Sequence, residues 1–435
     1  MPTQHLSLED AAALVRPTDA LAIPLGPGQP TSFLHALAGR DSYDDLQIFG
    51  ALLVDLYEVF LRPGVHYTSG FFGPAERFLR DSGADVQFVP ADFRRFEPIL
   101  QALSPRIMTT VASPPDADGY LSLSCHAGAS VAELHRAGAD PDRLLVVEAN
   151  AKFPRTFGLL PEHTHRLHLD EIDVLVEGDR DPLNLADEEA GDVEKAIAAF
   201  AASFVTDGCT LQTGIGSIPN TVASLLAEGP GGDYGVHSEM FTSGLMRLHQ
   251  AGKVSNARKG IYPGVSVCTF AAGVPELYTW LDEQAEVAFL PVEYVNSPHI
   301  IASNHKMVMI NGAVSIDLAG QIIADTVGHR QYSGIGGHED FTMPSGLELE
   351  DRSLMCMQST TQKDGQLLSR LVVEHPAGAI VTTPRHQVDV VITEYGVAEL
   401  RGLTVRQRAK ELARIAHPQF RSDLEAAAED HPITV

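Results

Sequence analysis

Short apolar runs alternate with helical stretches along nearly the whole chain. Leu21-Ala-Ile-Pro-Leu25 leads into a Gly-Pro turn and then the helix-like Ser32-Phe-Leu-His-Ala-Leu37. Val86–Val89, Ile107–Val111 and Leu144–Glu148 are apolar runs bounded by turn residues, the pattern of strands buried on both faces of a mostly parallel sheet. Thr210–Thr213, Val287–Val292, Ala379–Thr383 and Val388–Thr393 repeat that pattern in the second half. Regular alternation of strands and helices predicts α/β layers.

One stretch breaks the pattern. Gly178–Asp192 holds six acids, one base, a proline and two glycines. It reads as a linker, followed by a helix from about Val193, and divides the chain into domains 1–185 and 186–435. A faint repeat crosses that boundary. Asp19, Gly26 and Gly28 match Asp207, Gly214 and Gly216 at a constant offset of 188, each set followed by a proline and an apolar helix. Two similarly built α/β domains are expected, and a cleft between such domains is a usual ligand site.

The length of 435 residues suits two or three domains, and 44% hydrophobic with 20% charged residues is ordinary for a globular chain. With 31 Lys+Arg against 57 Asp+Glu, the formal net charge is −26. That argues against nucleic-acid or anionic-membrane partners, which need a basic face; a small polyanion bound by local groups remains allowed. The four cysteines are scattered, with no C-x-x-C pair, which suits a reducing compartment. The first ten residues lack a basic n-region and an apolar h-region, and Ala196–Val205 is too short to span a bilayer. A soluble, cytoplasmic protein is expected.

Three segments offer chemistry. Gly214-Ile215-Gly216-Ser217-Ile218-Pro219-Asn220 joins a strand to a helix. Its glycines permit close approach of a ligand, and the helix start offers N–H groups to an anion; a plain tight turn has the same pattern. Pro219 occupies the third-glycine position of the dinucleotide fingerprint, which disfavours a nicotinamide oxidoreductase, and no P-loop motif occurs. Glu239, in Gly235-Val-His-Ser-Glu239-Met, sits in an apolar, glycine-bounded setting. A carboxylate there is either exposed at a strand end or placed to act as base or nucleophile. Gly334-Ile-Gly336-Gly337 suits either a surface loop or an oxyanion hole built from backbone N–H groups. Asn311, between two apolar stretches, supplies an amide donor or caps a turn. His163, His165 and His168 lack metal-ligand spacing, so no metal is expected. H-E-x-x-H and G-x-S-x-G are absent.

Together with Ser113-Pro-Pro-Asp-Ala-Asp-Gly119, Glu148-Ala-Asn150-Ala-Lys-Phe-Pro154-Arg155 and Thr393-Glu-Tyr-Gly-Val-Ala-Glu-Leu-Arg-Gly402, these motifs give a chain that resembles the acetyl-CoA hydrolase/transferase family, which includes 4-hydroxybutyrate CoA-transferase. The likeness runs over nearly the whole chain. It implies two similar open α/β domains with mostly parallel sheets, the active site in the cleft between them, and the nucleophile of G-x-H-[ST]-E at Glu239. It further implies a CoA-transferase that moves CoA from an acyl-CoA such as acetyl-CoA to a small carboxylic acid by a ping-pong route through a glutamyl-CoA thioester. Oxyanion donors fall on Asn311, Gly336 and Gly337. CoA contacts fall on Gly214–Asn220 and Gly334, and on Lys363 if it meets a phosphate rather than solvent. No permanently bound cofactor is implied, CoA being substrate, and a homodimer is expected. Acyl-CoA hydrolysis through the same glutamate is the nearest alternative, and a non-catalytic CoA-binding subunit a more distant one. Relatives commonly carry Gln where this chain has His338, which leaves acyl preference open.

Overall fold

The structure, a computed structural model, describes residues 2–344 and 349–429. Its contacts gather into two compact units. The first contains Met1–Ala186, Glu239–Phe241 and Val265–Ser297; the second contains Asp187–Ser238, Thr242–Gly264 and Pro298–Val435. The sequence boundary had placed everything after residue 185 in one domain, so the return of two later segments to the first unit is a departure from it. Its cause is local pairing. Met240 and Phe241 run parallel to Phe270 and Ala271, and Phe270 packs with Phe93, Phe96 and Val292.

The first unit is built on an eight-stranded sheet. Its strands run, across the sheet, Gln4–His5, Val174–Gly178, Leu144–Asn150, Ile107–Ala112, Thr18–Ala22, Asp45–Gly50, Val65–Ser69 and Val86–Phe88. Every pairing is parallel. A parallel sheet needs crossovers on its faces, which is why its central strands are apolar on both sides. Ile107–Ala112 is buried at all six positions. Helices Thr31–Ala36, Pro74–Asp81, Phe96–Leu103 and Val131–Ala139 supply crossovers, and Phe33, Leu34, Leu46, Ile48, Tyr67 and Val146 form part of the core. Asp19, the first residue of the repeat, accepts the Arg16 and Ala20 N–H groups and pairs with Arg106 at 2.6 Å.

The second unit holds a six-stranded sheet in the order Gly235–Val236, Thr210–Thr213, Met307–Gly312, Arg352–Cys356, Val390–Thr393 and Gly396–Glu399. It is parallel except for the last pair, a hairpin. Helices Asp192–Ala202, Ser217–Glu228, Ser243–Gln250 and Val405–Arg414 accompany it. Thr404 caps the last of these in a reciprocal box with Gln407. Leu318, Met355, Val391, Leu400, Leu412 and Ile415 centre its core.

Two expected strands differ. Val287–Phe289 forms, but pairs with Ser266–Cys268 in the first unit rather than joining the second sheet. Ala379–Thr383 is not a strand. Only Thr383 makes a bridge, to Ile322, and Pro376 and Pro384 bracket a segment whose threonine hydroxyls bind side chains instead.

Candidate functional site

Glu239 enters the first unit at the end of a buried run. His237 and Ser238, both fully buried, belong to the second unit, where Ser238 Oγ donates to the Thr213 carbonyl at 3.2 Å. The chain then pairs beside Thr269 and Phe270, whose N–H groups donate to the Glu239 carbonyl at 2.9 and 3.3 Å. This holds the Glu239 backbone against a rigid neighbour. The side chain is half-buried, and its Oε2 accepts a 2.6 Å hydrogen bond from Asn296 Nδ2. Asn296 is fully buried at the end of the short helix Val292–Val295 and donates its own N–H to the Val292 carbonyl. That helix is fixed in turn, because the Val292 N–H donates to the Gly128 carbonyl at 2.9 Å. A short, charge-assisted bond from a buried amide fixes the plane of the carboxylate. Asn296 was missed in the sequence: an Asn before Ser-Pro at a helix end reads as a cap, and only the fold brings it to Glu239.

In the second unit, Gly214, Ile215, Gly216, Ser217, Ile218 and Pro219 line one cavity of about 260 Å³ together with Asn311, Gly312 and Cys356. Gly216 has φ +111°, a conformation that favours glycine, and opens the twelve-residue helix Ser217–Glu228. Pro219 has no N–H, so the free first-turn donors are those of Ser217 and Ile218. Asn311 lies on the strand Met307–Gly312; its Oδ1 accepts from Gln212 at 3.4 Å, while its buried Nδ2 and the buried Oε1 of Gln212 have no partner among the described residues. Burial raises the Cys356 thiol to about 12, so it is a neutral wall of this cavity. Asn220 does not line it: its amide turns to Asp187 at 2.9 Å.

The glycine loop precedes the helix His338–Thr342. Gly336 has φ +56°, a conformation that favours glycine, and turns the chain into that helix. Lys363 is exposed on the hairpin Thr360–Lys363/Gln366–Ser369 and does not line the 260 Å³ cavity.

The N-terminal motifs meet through Arg155. Its guanidinium donates to the carbonyls of Pro114 and Tyr120 and pairs with Asp116 at 3.4 Å, joining the segments 113–120 and 148–155. Lys152, Phe153 and Pro154 line a larger cavity of the first unit, about 590 Å³, with Tyr278 and Asp282. None of the residues predicted to be catalytic or CoA-binding touches it, so volume does not choose the site. The three histidines of 163–168 are engaged separately: His163 packs on Tyr294, His165 bonds Ser124 and Thr156, and His168 caps Asp170. Among the described residues no group of His, Cys, Asp and Glu has the arrangement of a metal site, and no helix is long and apolar enough to cross a membrane.

Residues 273–428 match the model of the acetyl-CoA hydrolase/transferase C-terminal domain. The chain is 36% identical over 423 residues to a Geobacter metallireducens protein named succinyl-CoA:cyclohexane-1-carboxylate CoA transferase, covering 96% of this chain and 93% of that one. It is 36% identical over 406 residues to a 4-hydroxybutyrate coenzyme A transferase of Clostridium kluyveri, covering 91% and 90%. RipA from Yersinia pestis has a crystal structure that superposes with a TM-score of 0.89 at 30% identity, covering 98% of this chain and 97% of that one. Likeness of that extent, over both units and with the family's motifs in order, makes this chain an enzyme of the acetyl-CoA hydrolase/transferase family.

Proposed function

We propose that the chain is an acyl-CoA:carboxylate CoA-transferase working through Glu239. The observation that carries this reading is the 2.6 Å bond from buried Asn296, which orients one oxygen of a half-buried carboxylate. The Glu239 carboxylate attacks the thioester carbonyl of acyl-CoA. The tetrahedral oxyanion collapses with loss of CoA thiolate, leaving an acyl-glutamyl anhydride. The thiolate attacks the glutamyl carbonyl and expels the first carboxylate, giving a glutamyl-CoA thioester. An acceptor carboxylate attacks that thioester, and the same steps run in reverse to release the new acyl-CoA and regenerate Glu239. Covalent catalysis divides one difficult exchange into easier ones. Each oxyanion needs fixed donors, the role assigned to the Gly336 and Gly337 N–H groups and to Asn311 Nδ2. The cavity at Gly214–Pro219 takes the pantetheine or phosphate portion of CoA, and Lys363 meets a phosphate. CoA is substrate throughout.

The relatives' names favour transfer over hydrolysis, which uses the same glutamate with water as final acceptor. Exchange of labelled acetate into acetyl-CoA, or of butyrate into butyryl-CoA, tests the reading with one substrate pair at a time. Exchange reports the glutamyl route, and formation of a second acyl-CoA from acetyl-CoA and butyrate without loss of total thioester marks transfer, whereas hydrolysis consumes the thioester. Borohydride applied during turnover should reduce the glutamyl thioester to an alcohol within the peptide holding Gly235–Met240. A label elsewhere, or exchange retained by Glu239→Ala, overturns the assignment.

A further inference from the structure

The segment carrying Gly334–Gly337 is tied at both ends to one dipeptide, Thr382-Thr383. At the near end, Thr382 Oγ1 donates to Asp325 Oδ1 at 2.6 Å and accepts the Ala324 N–H at 2.9 Å. The Asp325 carbonyl accepts the N–H groups of Tyr332 and Ser333. Gln331 Nε2 closes this turn on Asp325 Oδ2 and the Ser333 carbonyl, each at 2.8 Å. At the far end, His338 Nε2 lies 2.8 Å from Thr383 Oγ1, which lies 2.5 Å from Glu339 Oε1. The dipeptide itself is held by its backbone: Thr382 and Thr383 donate to the Ile322 carbonyl, and the Ile322 N–H returns to Thr383.

The far end has a direction. A hydroxyl has one proton, and an ionised carboxylate only accepts. Thr383 therefore donates to Glu339 and must accept from His338, which assigns the imidazole proton to Nε2. Burial lowers the His338 pKa to about 4, so the ring is neutral near pH 7 and this single proton is the one available. His338 follows directly on Gly337, and its own N–H donates to the Ile335 carbonyl at 3.1 Å, across the glycine turn.

We propose that His338 is the positioning residue of the glycine loop: by donating through Nε2 to Thr383 it fixes where the Gly336 and Gly337 N–H groups point. This rests on the reading of those groups as oxyanion donors. A glutamine amide at this position would place a donor at similar reach and can make the same bond. The role is in aiming the loop, not in proton transfer to substrate.

The test uses the full-length chain with four changes: His338→Ala, His338→Gln, Thr383→Val and the His338→Ala/Thr383→Val double. A loop displaced by about an ångström costs ~10²-fold in rate, so His338→Ala and Thr383→Val should each lower kcat roughly 10- to 100-fold, with KM for acyl-CoA within about twofold. The double should be no worse than Thr383→Val alone, because that change already removes the bond to His338 together with the one to Glu339. His338→Gln should recover kcat to within about threefold of wild type. Amide hydrogen exchange of the peptide spanning 331–341 supplies a readout that needs no turnover. It should speed up in His338→Ala and Thr383→Val and stay near wild type in His338→Gln. The proposal is overturned if His338→Gln is as impaired as His338→Ala, if the two single losses multiply, or if exchange is unchanged in His338→Ala. A wild-type enzyme without transfer activity would sink the functional reading instead, while the exchange experiment would still decide whether His338 holds the loop.

Discussion

Replacing Asn296 separates orientation of the proposed nucleophile, Glu239, from its mere presence. The bond from Asn296 Nδ2 to Glu239 Oε2 is 2.6 Å long and its donor is fully buried. Hydrogen bonds to a charged partner contribute about 1.5–3 kcal/mol. If that restraint acts mainly as the carboxylate aligns for attack, Asn296→Ala should slow isotope exchange roughly 10- to 150-fold, at about 1.4 kcal/mol per decade. CoA affinity should be little changed, because Asn296 is not among the residues lining the cavity assigned to CoA. Asn296→Asp is the sharper variant. It keeps the shape and replaces a donor with a second carboxyl within hydrogen-bond distance of the first. Two such groups do not both ionise readily, so they share a proton and titrate as a pair. The singly protonated pair can still present an oriented carboxylate. Raising the pH removes the shared proton and sets two like charges against each other. The variant's kcat should therefore decline on the alkaline side, where wild type stays level. The assay is labelled-acetate exchange from pH 5 to 9, alongside thermal melts to exclude global unfolding. An Asn296→Ala enzyme within about twofold of wild type, or an Asn296→Asp profile that overlays the wild-type curve, would refute the argument, since it would show that the bond is not expressed as the carboxylate aligns for attack.

Glu239→Asp should retain CoA binding but lose at least ~10²-fold in exchange, because shortening by a methylene moves the attacking oxygen by about an ångström; near-normal rates would remove Glu239 from the nucleophile's role. A Cβ on Gly214 would meet nothing within 4 Å, so Gly214→Val should melt close to wild type while narrowing the 260 Å³ cavity and raising the Kd for CoA at least ~10-fold, measured by calorimetry; unaltered affinity would place CoA elsewhere. Burial lowers the His126 pKa to about 3; below pH 6.5 the unfolded chain takes up a proton that the folded chain refuses, so this residue's contribution is complete above 6.5 and is lost as pH falls. Urea titrations at pH 6 and pH 4.5 should then show His126→Asn with a stability slope shallower than wild type by about 1.4 kcal/mol per pH unit, a difference that cancels the opposite contributions of buried Glu76, Glu148 and Glu293; equal slopes would show that His126 protonates in the native state.

The contrast between Glu239 and Asn296 shows how far the chain was readable. Strands such as Ile107–Ala112 and Thr210–Thr213 were legible because burial on both faces leaves an unbroken apolar run. The loop at Gly214–Pro219 was legible because a strand must turn into a helix there, and glycine at φ +111° is the cheapest way to do it. Glu239 stood out because a carboxylate in an apolar setting is unusual, and the family's motif then gave it a role. Nothing comparable marked Asn296, 57 positions later. Its bond to Glu239 accompanies the Met240–Phe270 pairing, a contact between segments far apart in sequence that no local period encodes. The same is true of Thr383, which read as the end of an apolar strand while its hydroxyl in fact joins His338 to Glu339. In each case the residue type was compatible with its use, but the partner was chosen by tertiary pairing. Local pattern identified the groups that must be chemically unusual on their own, whereas the groups that orient them are ordinary residues made specific by where the fold puts them. For this chain, then, side chains such as Asn296, Thr383 and His338 are the places where change should alter catalytic rate without altering the motifs by which the family is recognised.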